Sequence, residues 1–129
     1  MEIYTLKISF AENDPEFPWS KTIEVPEDFT FANLHDYIQE IIEFDNDHLY
    51  EFYSGKSQRN KLYKISNSAR LCDIFPLDGL KLFYLFDFGD NWLFKIIKTS
   101  KKQFLTPEIS LPRIAKSVGE NPEQYGEWK

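Results

Sequence analysis

Hydrophobic and polar residues alternate from position 3 to position 10: Tyr4, Leu6, Ile8 and Phe10 fall on one side, Thr5, Lys7 and Ser9 on the other. A period of two is that of a half-buried strand. Residues 11–18 hold two prolines and an Asn-Asp pair and read as a loop. Residues 21–25 read as a short second strand, stopped by Pro26. The period then changes. Phe31, Leu34, Ile38, Ile41 and Ile42 recur at helical spacing, with Asp36, Gln39, Glu40 and Glu43 opposite and His35 on the flank, which predicts a helix over 31–44. Thr30 is placed to cap it through its hydroxyl, and Phe29 and Leu34 occupy the two positions of a hydrophobic staple.

Further strands follow. Residues 48–53 and, more weakly, 61–65 read as strands around a polar loop that starts at Ser54-Gly55-Lys56. Asn67 or Ser68 is placed to cap a helical turn through Leu71 and Ile74, closed by Pro76 and the Asp78-Gly79 turn. Residues 80–88 and 92–98 form the two strongest strands, a hairpin about the Gly89-Asp90-Asn91 corner. Beyond residue 100 the pattern decays, and only 113–118 suggests a short helix. The fold class is α+β: an antiparallel or mixed sheet packed against the 31–44 helix, with a strand–strand–helix opening like that of β-grasp domains. At 129 residues the chain reads as one domain, with a core about 3–98 and an irregular C-terminal extension over 100–129.

Composition narrows the class. Twelve phenylalanines and 17% aromatics require a large buried core. The lone Cys72 has no internal disulfide partner, and no apolar run approaches the ~18 residues of a membrane span. With no apolar leader at the start, the expectation is a soluble, cytoplasmic protein. The net charge of −6 is uneven. Residues 1–54 carry thirteen acids against Lys7 and Lys21, whereas residues 55–71 carry Lys56, Arg59, Lys61, Lys64 and Arg70 and no acid. The basic run reads as a solvated hairpin that complements the acidic half, and the pI of about 4.9 is far from that of a duplex-binding domain.

The chemistry concentrates at 84–92. The strand ends in Asp87-Phe88-Gly89-Asp90, which delivers two carboxylates, Asn91 and Trp92 to one edge of the core. His48, Asp87, Asp90, Asn91 and Trp92 are the candidate binding residues. Asp87 is expected to accept turn amides and Asp90 to be exposed. Phe86 and Trp92 are both expected to be largely buried. His35 and His48 with the two aspartates are metal-competent by type, but their spacing matches no metal motif, and no cofactor is implied. A hydrolytic Asp87–Asp90 pair is the enzymatic alternative. Cys72 sits in an apolar setting that disfavours the thiolate and reads as inert. A recombinase needs clustered arginines at the phosphoryl transition state. The chain has three, Arg59, Arg70 and Arg113, widely separated.

Taken together, Phe31-x-x-Leu34-His35-x-x-Ile38-Gln39, His48-Leu49-Tyr50-x-Phe52 and Tyr84-x-Phe86-Asp87-Phe88-Gly89-Asp90-x-Trp92 resemble the plasmid open-reading-frame-three-like family. Its members are also labelled transposon-passenger TnpR-like proteins. The resemblance covers residues 3–98, with a tail extending through Pro112-Arg113 and 117–122. It implies an association with mobile elements and no demonstrated recombinase activity. Two positions depart from the family pattern. Phe94 stands where members carry a histidine, and the basic pair before the second strand's Val-Pro is reduced to Lys21.

The expected function is that of a non-enzymatic accessory or adaptor protein, associated with mobile elements, that binds a protein partner or small ligand at the 84–92 edge. The alternatives are a metal-dependent or hydrolytic enzyme using His48, Asp87 and Asp90, and a nucleic-acid accessory protein using Lys56, Arg59, Lys61 and Lys64. Nucleic acid and membrane are disfavoured as partners.

Overall fold

The computed structural model describes residues 1–12 and 14–125. In chain order the elements are β1 (Glu2–Phe10), β2 (Ser20–Pro26), α1 (Phe31–Ile42), β3 (Tyr50–Ser57), β4 (Asn60–Ile65), α2 (Leu71–Ile74), β5 (Lys81–Phe86), β6 (Trp92–Lys98), β7 (Gln103–Phe104) and β8 (Arg113–Val118). The strands form one open sheet in the order β4-β3-β5-β6-β1-β2-β8, with β7 pairing the start of β1. Every pairing is antiparallel. The class is α+β, and the strand–strand–helix opening is present.

The register explains the core. Leu6 opposes Ile23, Ile8 opposes Ile96, and Phe52 opposes both Tyr84 and Ile65, so one sheet face is a continuous apolar and aromatic layer. The α1 residues Phe31, Leu34, Ile38 and Ile42, all fully buried, pack into that layer. Removing each such side chain from water contributes about 1.5–3 kcal/mol. Thr30 caps the helix as expected. Its hydroxyl accepts from the Asn33 N–H at 3.0 Å and the Asn33 side chain accepts from the Thr30 N–H. The helix stops at Ile42, two residues before the predicted end, because Glu43 takes a left-handed conformation (φ 64°) and closes the last turn.

Several expectations change. Residues 113–118 are a strand, not a helix. The free edge of β2 offers a row of unpaired backbone groups, and pairing with it outweighs a weak local period. The stretch after residue 100 is therefore not irregular throughout. Thr99 N–H donates to the Thr5 carbonyl, and β7 then pairs with Glu2 and Ile3. Ile3 and Thr5, on the sheet face away from α1, are buried as well. The Ser54-Gly55-Lys56 loop is absorbed into β3, whose hairpin with β4 turns at residues 58–59. A Cβ at Gly55 would lie 2.1 Å from the Asn60 carbonyl oxygen, so that bulge needs glycine. Arg70, rather than Asn67 or Ser68, caps α2, its N–H and guanidinium both held by Asp73. Among the described residues no helix is long and apolar enough to cross a membrane.

Candidate functional site

The corner between β5 and β6 is built by Asp87. Its backbone is left-handed (φ 62°), as is that of Asn91 (φ 56°), and the Asn91 N–H donates to the Asp87 carbonyl. Asp and Asn tolerate this conformation better than most side chains. The two strained positions thus fall on Asp87 and Asn91, and not on Gly89. The Asp87 carboxylate accepts from the amides of Gly89 at 3.1 Å and Asp90 at 3.3 Å through Oδ1. Its Oδ2 lies 3.4 Å from Nε2 of His48. Asp87 is buried and Asp90 is exposed. Phe86 is fully buried, but Trp92 only half, since it sits at the sheet end against Phe44 at 5.0 Å.

Four of the five candidate residues divide into two groups. His48 and Asp87 form a contact that Asp47 and Tyr125 extend. His48 Nε2 lies 3.6 Å from Asp47 and 3.3 Å from the Tyr125 hydroxyl, and that hydroxyl donates to Asp47. This hydrogen bond to a carboxylate pushes the Tyr125 phenol up to about 12 and draws the Asp47 carboxyl below its ordinary value. Asn91 and Trp92 instead line a cleft of about 770 Å³ on the far side of the hairpin, with Leu85, Leu93 and Tyr53. Its other wall is formed by Phe10, Ala11, Glu12, Asp14, Pro15 and Phe17 of the β1–β2 connection, anchored where Gln58 donates to the Glu12 carboxylate at 3.0 Å. Phe17 is left 69% exposed on this wall. Asp90 belongs to neither group.

The basic hairpin is solvated and in part paired. Lys56, Arg59, Lys61 and Lys64 are exposed. Lys61 pairs with Glu51 and lies over the Tyr53 ring, and Arg70 pairs with Asp73. No group of three or more His, Cys, Asp or Glu side chains among the described residues is arranged to hold a metal ion. His35 is not available as a ligand, for both ring nitrogens are engaged.

That histidine belongs to a buried network that the helical pattern misassigns. Gln39 and His35 were placed on the polar face and the flank of α1, yet they are 1% and 3% exposed. Gln39 Nε2 donates to the Tyr84 hydroxyl at 2.9 Å. The hydroxyl lies 2.6 Å from His35 Nδ1, and His35 Nε2 lies 2.6 Å from Asn46 Oδ1. An amide oxygen only accepts, so Nε2 carries the proton and Nδ1 accepts from Tyr84. The Asn46 backbone N–H returns to Gln39 Oε1, and the His35 ring stacks on Tyr50 with centroids 3.4 Å apart. Burial pushes the Tyr84 phenol up and the His35 imidazole down. The signal was the i, i+4, i+8 spacing of Phe31, His35 and Gln39, which places all three on one stripe.

The matching family model, described as plasmid pRiA4b ORF-3-like protein, spans residues 2–127. The chain belongs to this family. Among solved structures it is similar to the crystal structure of a protein of unknown function from Methanosarcina mazei Go1. The two share 28% identity over 95% of this chain and 72% of the other, with a TM-score of 0.80. No curated protein matches. Of the two departures from the family pattern, Phe94 is fully buried and stacks against Phe10 and Tyr84. Lys21 is buried and donates to the Ser117 hydroxyl at 3.2 Å, linking β2 to β8.

Proposed function

We propose that this plasmid-type protein is a non-enzymatic accessory or adaptor, associated with mobile elements, that binds a protein segment or small ligand in the cleft beside the 84–92 edge. One observation carries the reading. The cleft of about 770 Å³ is walled by Leu85, Asn91, Trp92 and Leu93 from the hairpin and by the exposed Phe17 from the opposing loop. A concave, mostly apolar surface with a few polar groups is what ligand sites are made of. An exposed phenylalanine beside it is the kind of anchor that binding buries.

The hydrolytic alternative fits less well. Asp87 already spends one carboxylate oxygen on two turn amides, and Asp90 is an exposed turn residue. The reading is tested by protein-observed NMR with a library of small apolar and amide-bearing fragments. Hits should shift the Trp92 indole and the amides of Leu85, Asn91 and Leu93, and Leu93→Lys should abolish those shifts while leaving the melting profile cooperative. Fragments that cluster on another surface, or that bind the variant equally, would sink the proposal.

A further inference from the structure

The helix α1 covers one face of the sheet, and the strand register sorts lysines onto the other. Across the strands Lys64 opposes Tyr53, Tyr53 opposes Phe83, Phe83 opposes Lys95, and Lys95 opposes Ser9. In the next row Lys61 opposes Gly55, which opposes Lys81. The same row continues from Ile97 to Lys7, Thr22 and Lys116. Lys7 and Ser9 alternate with the core residues Leu6 and Ile8, so both rows lie on the face away from α1. They hold six lysines and no acid, in a chain with 21 acids and a net charge of −6. Of the six, Lys61 alone is in an ion pair among the described residues, with Glu51. The exposed acids of α1, Asp36 and Glu40, and Glu43 at its end lie on the other side of the molecule.

Apolar surface shares this face with the charge. Ile97 is 51% exposed. Lys7 stands opposite it on one side, and Lys95 precedes it by two residues on its own strand. Lys81 flanks it on the other side, where the register that pairs Leu82 with Ile96 continues. Three lysines thus surround one exposed aliphatic side chain, and like charges so placed across strands are unfavourable. Beside it a recess of about 380 Å³ is floored by Lys7, Ser9, Lys95 and Ile97 and bounded by Asp14 and Phe17 of the β1–β2 connection. Carboxylates would relieve the repulsion, and aliphatic groups among them would cover Ile97 and Phe17. We propose that this face docks an acidic peptide segment of another protein, one that carries aliphatic side chains among its carboxylates. Nucleic acid fits less well. The aromatic rings in the two rows, Tyr53 and Phe83, are buried and stacked on each other, so neither is free to take a base. The cleft beside the 84–92 edge is tested without the lysines, and neither proposal depends on the other.

The probe is a fluorescein-labelled peptide of glutamate, leucine and serine, titrated by anisotropy with the full chain and followed by chemical-shift mapping. Two companion peptides replace every glutamate by glutamine, or every leucine by serine. The parent peptide should bind and shift Lys7, Lys81, Lys95 and Ile97. The glutamine peptide should bind about tenfold more weakly or worse, the leucine-free peptide several-fold more weakly, and added salt should weaken the parent peptide. On the protein, Lys95→Glu is compared with Lys98→Glu. Both lie on β6 and change the charge equally, but Lys98 opposes Leu6 on the α1 face. Lys95→Glu should weaken the parent peptide about tenfold, and Lys98→Glu by less than about twofold. A cooperative melt shows that each variant folds. The proposal is overturned if the parent peptide does not bind, if the glutamine peptide binds equally, if the two lysine variants act alike, or if the shifts map elsewhere. Tighter binding of a DNA oligonucleotide or of phosphatidylserine vesicles than of the peptide would also overturn it. So would a salt-sensitive self-association that occupies the lysines, since each of these assigns the face to another occupant.

Discussion

At the scale of single residues, the two aspartates of Asp87-Phe88-Gly89-Asp90 have different physical roles although four positions hold both. Asp87 combines a left-handed backbone, two accepted amide hydrogen bonds and a contact with His48. Asn shares the conformational tolerance and can still accept, so Asp87→Asn isolates the loss of the charged acceptor. It should cost about 1–3 kcal/mol in a partly buried corner. Asp90 is exposed, and Asp90→Asn should change stability by less than ~0.5 kcal/mol. Chemical denaturation of the two variants measures both. Equal, negligible costs would mean that Asp87 does not hold the corner, and would leave its carboxylate free for a ligand.

At the scale of elements, α1 and β5 are joined by hydrogen bonds as well as by apolar packing. His35 is neutral in the network, because a second ring proton would face the Tyr84 hydroxyl, which already accepts from Gln39. Burial lowers its pKa, more strongly than Asn46 and the nearby Asp36 carboxylate raise it. The unfolded imidazole takes its proton near pH 6.5, while the native one resists. The contribution is therefore complete above about pH 6.5 and is lost as pH falls from there toward the lower native value. Denaturation midpoints measured from pH 7.5 to pH 5 should fall, and His35→Gln should flatten that dependence although it lowers stability throughout. An unchanged slope in the variant would show that His35 does not carry it. What could be read from the sequence tracks this same distinction between local and distant causes. The alternation of β1, the apolar stripe of α1 and the aromatic β5–β6 hairpin are set by neighbours in sequence, and they were legible. Gln39 and His35 look polar until the Tyr84 hydroxyl is brought to them from β5. The strand at Arg113–Val118 has no strong pattern of its own and takes its form from β2. The cleft beside Trp92 needs Glu12, Asp14 and Phe17 brought to it from the β1–β2 connection, a placement that no local period encodes.

At the scale of the whole molecule, charge is balanced by contacts far apart in the chain. The acidic half and the basic hairpin meet at Lys61 and Glu51, so Lys56→Gln/Arg59→Gln/Lys61→Gln should leave retention on duplex DNA at background. Loss of a specific, steeply salt-dependent binding would reverse that expectation. The stronger link is Glu24 of β2, whose side chain is only 4% exposed. It receives the Arg113 guanidinium at 2.7 Å and the Lys101 ammonium at 3.3 Å, from residues 89 and 77 positions away. Burial raises its pKa, but the two cations outweigh that and hold it below the ordinary carboxylate value. Its contribution is present above about pH 4.3 and is lost as pH falls through the lower native value. The same returning chain is fixed at Gly119, whose left-handed backbone (φ 77°) lets it pass the Pro18 carbonyl where a Cβ would lie only 2.2 Å away. Farther along, Asn121 donates to the Ile41 carbonyl at the end of α1. Glu24→Gln keeps the shape and removes the charge that both cations need. Because Lys101 and Arg113 are themselves 55% and 40% exposed, water relieves part of their loss. The cost should therefore be about 1–3 kcal/mol rather than that of a fully buried pair. The loss should be local, with faster amide exchange in β8 and new proteolytic cuts within residues 99–112, while α1 and β5 keep their protection. Uniform loosening of the whole sheet, or no change in β8, would show that Glu24 is not what holds the returning chain against it.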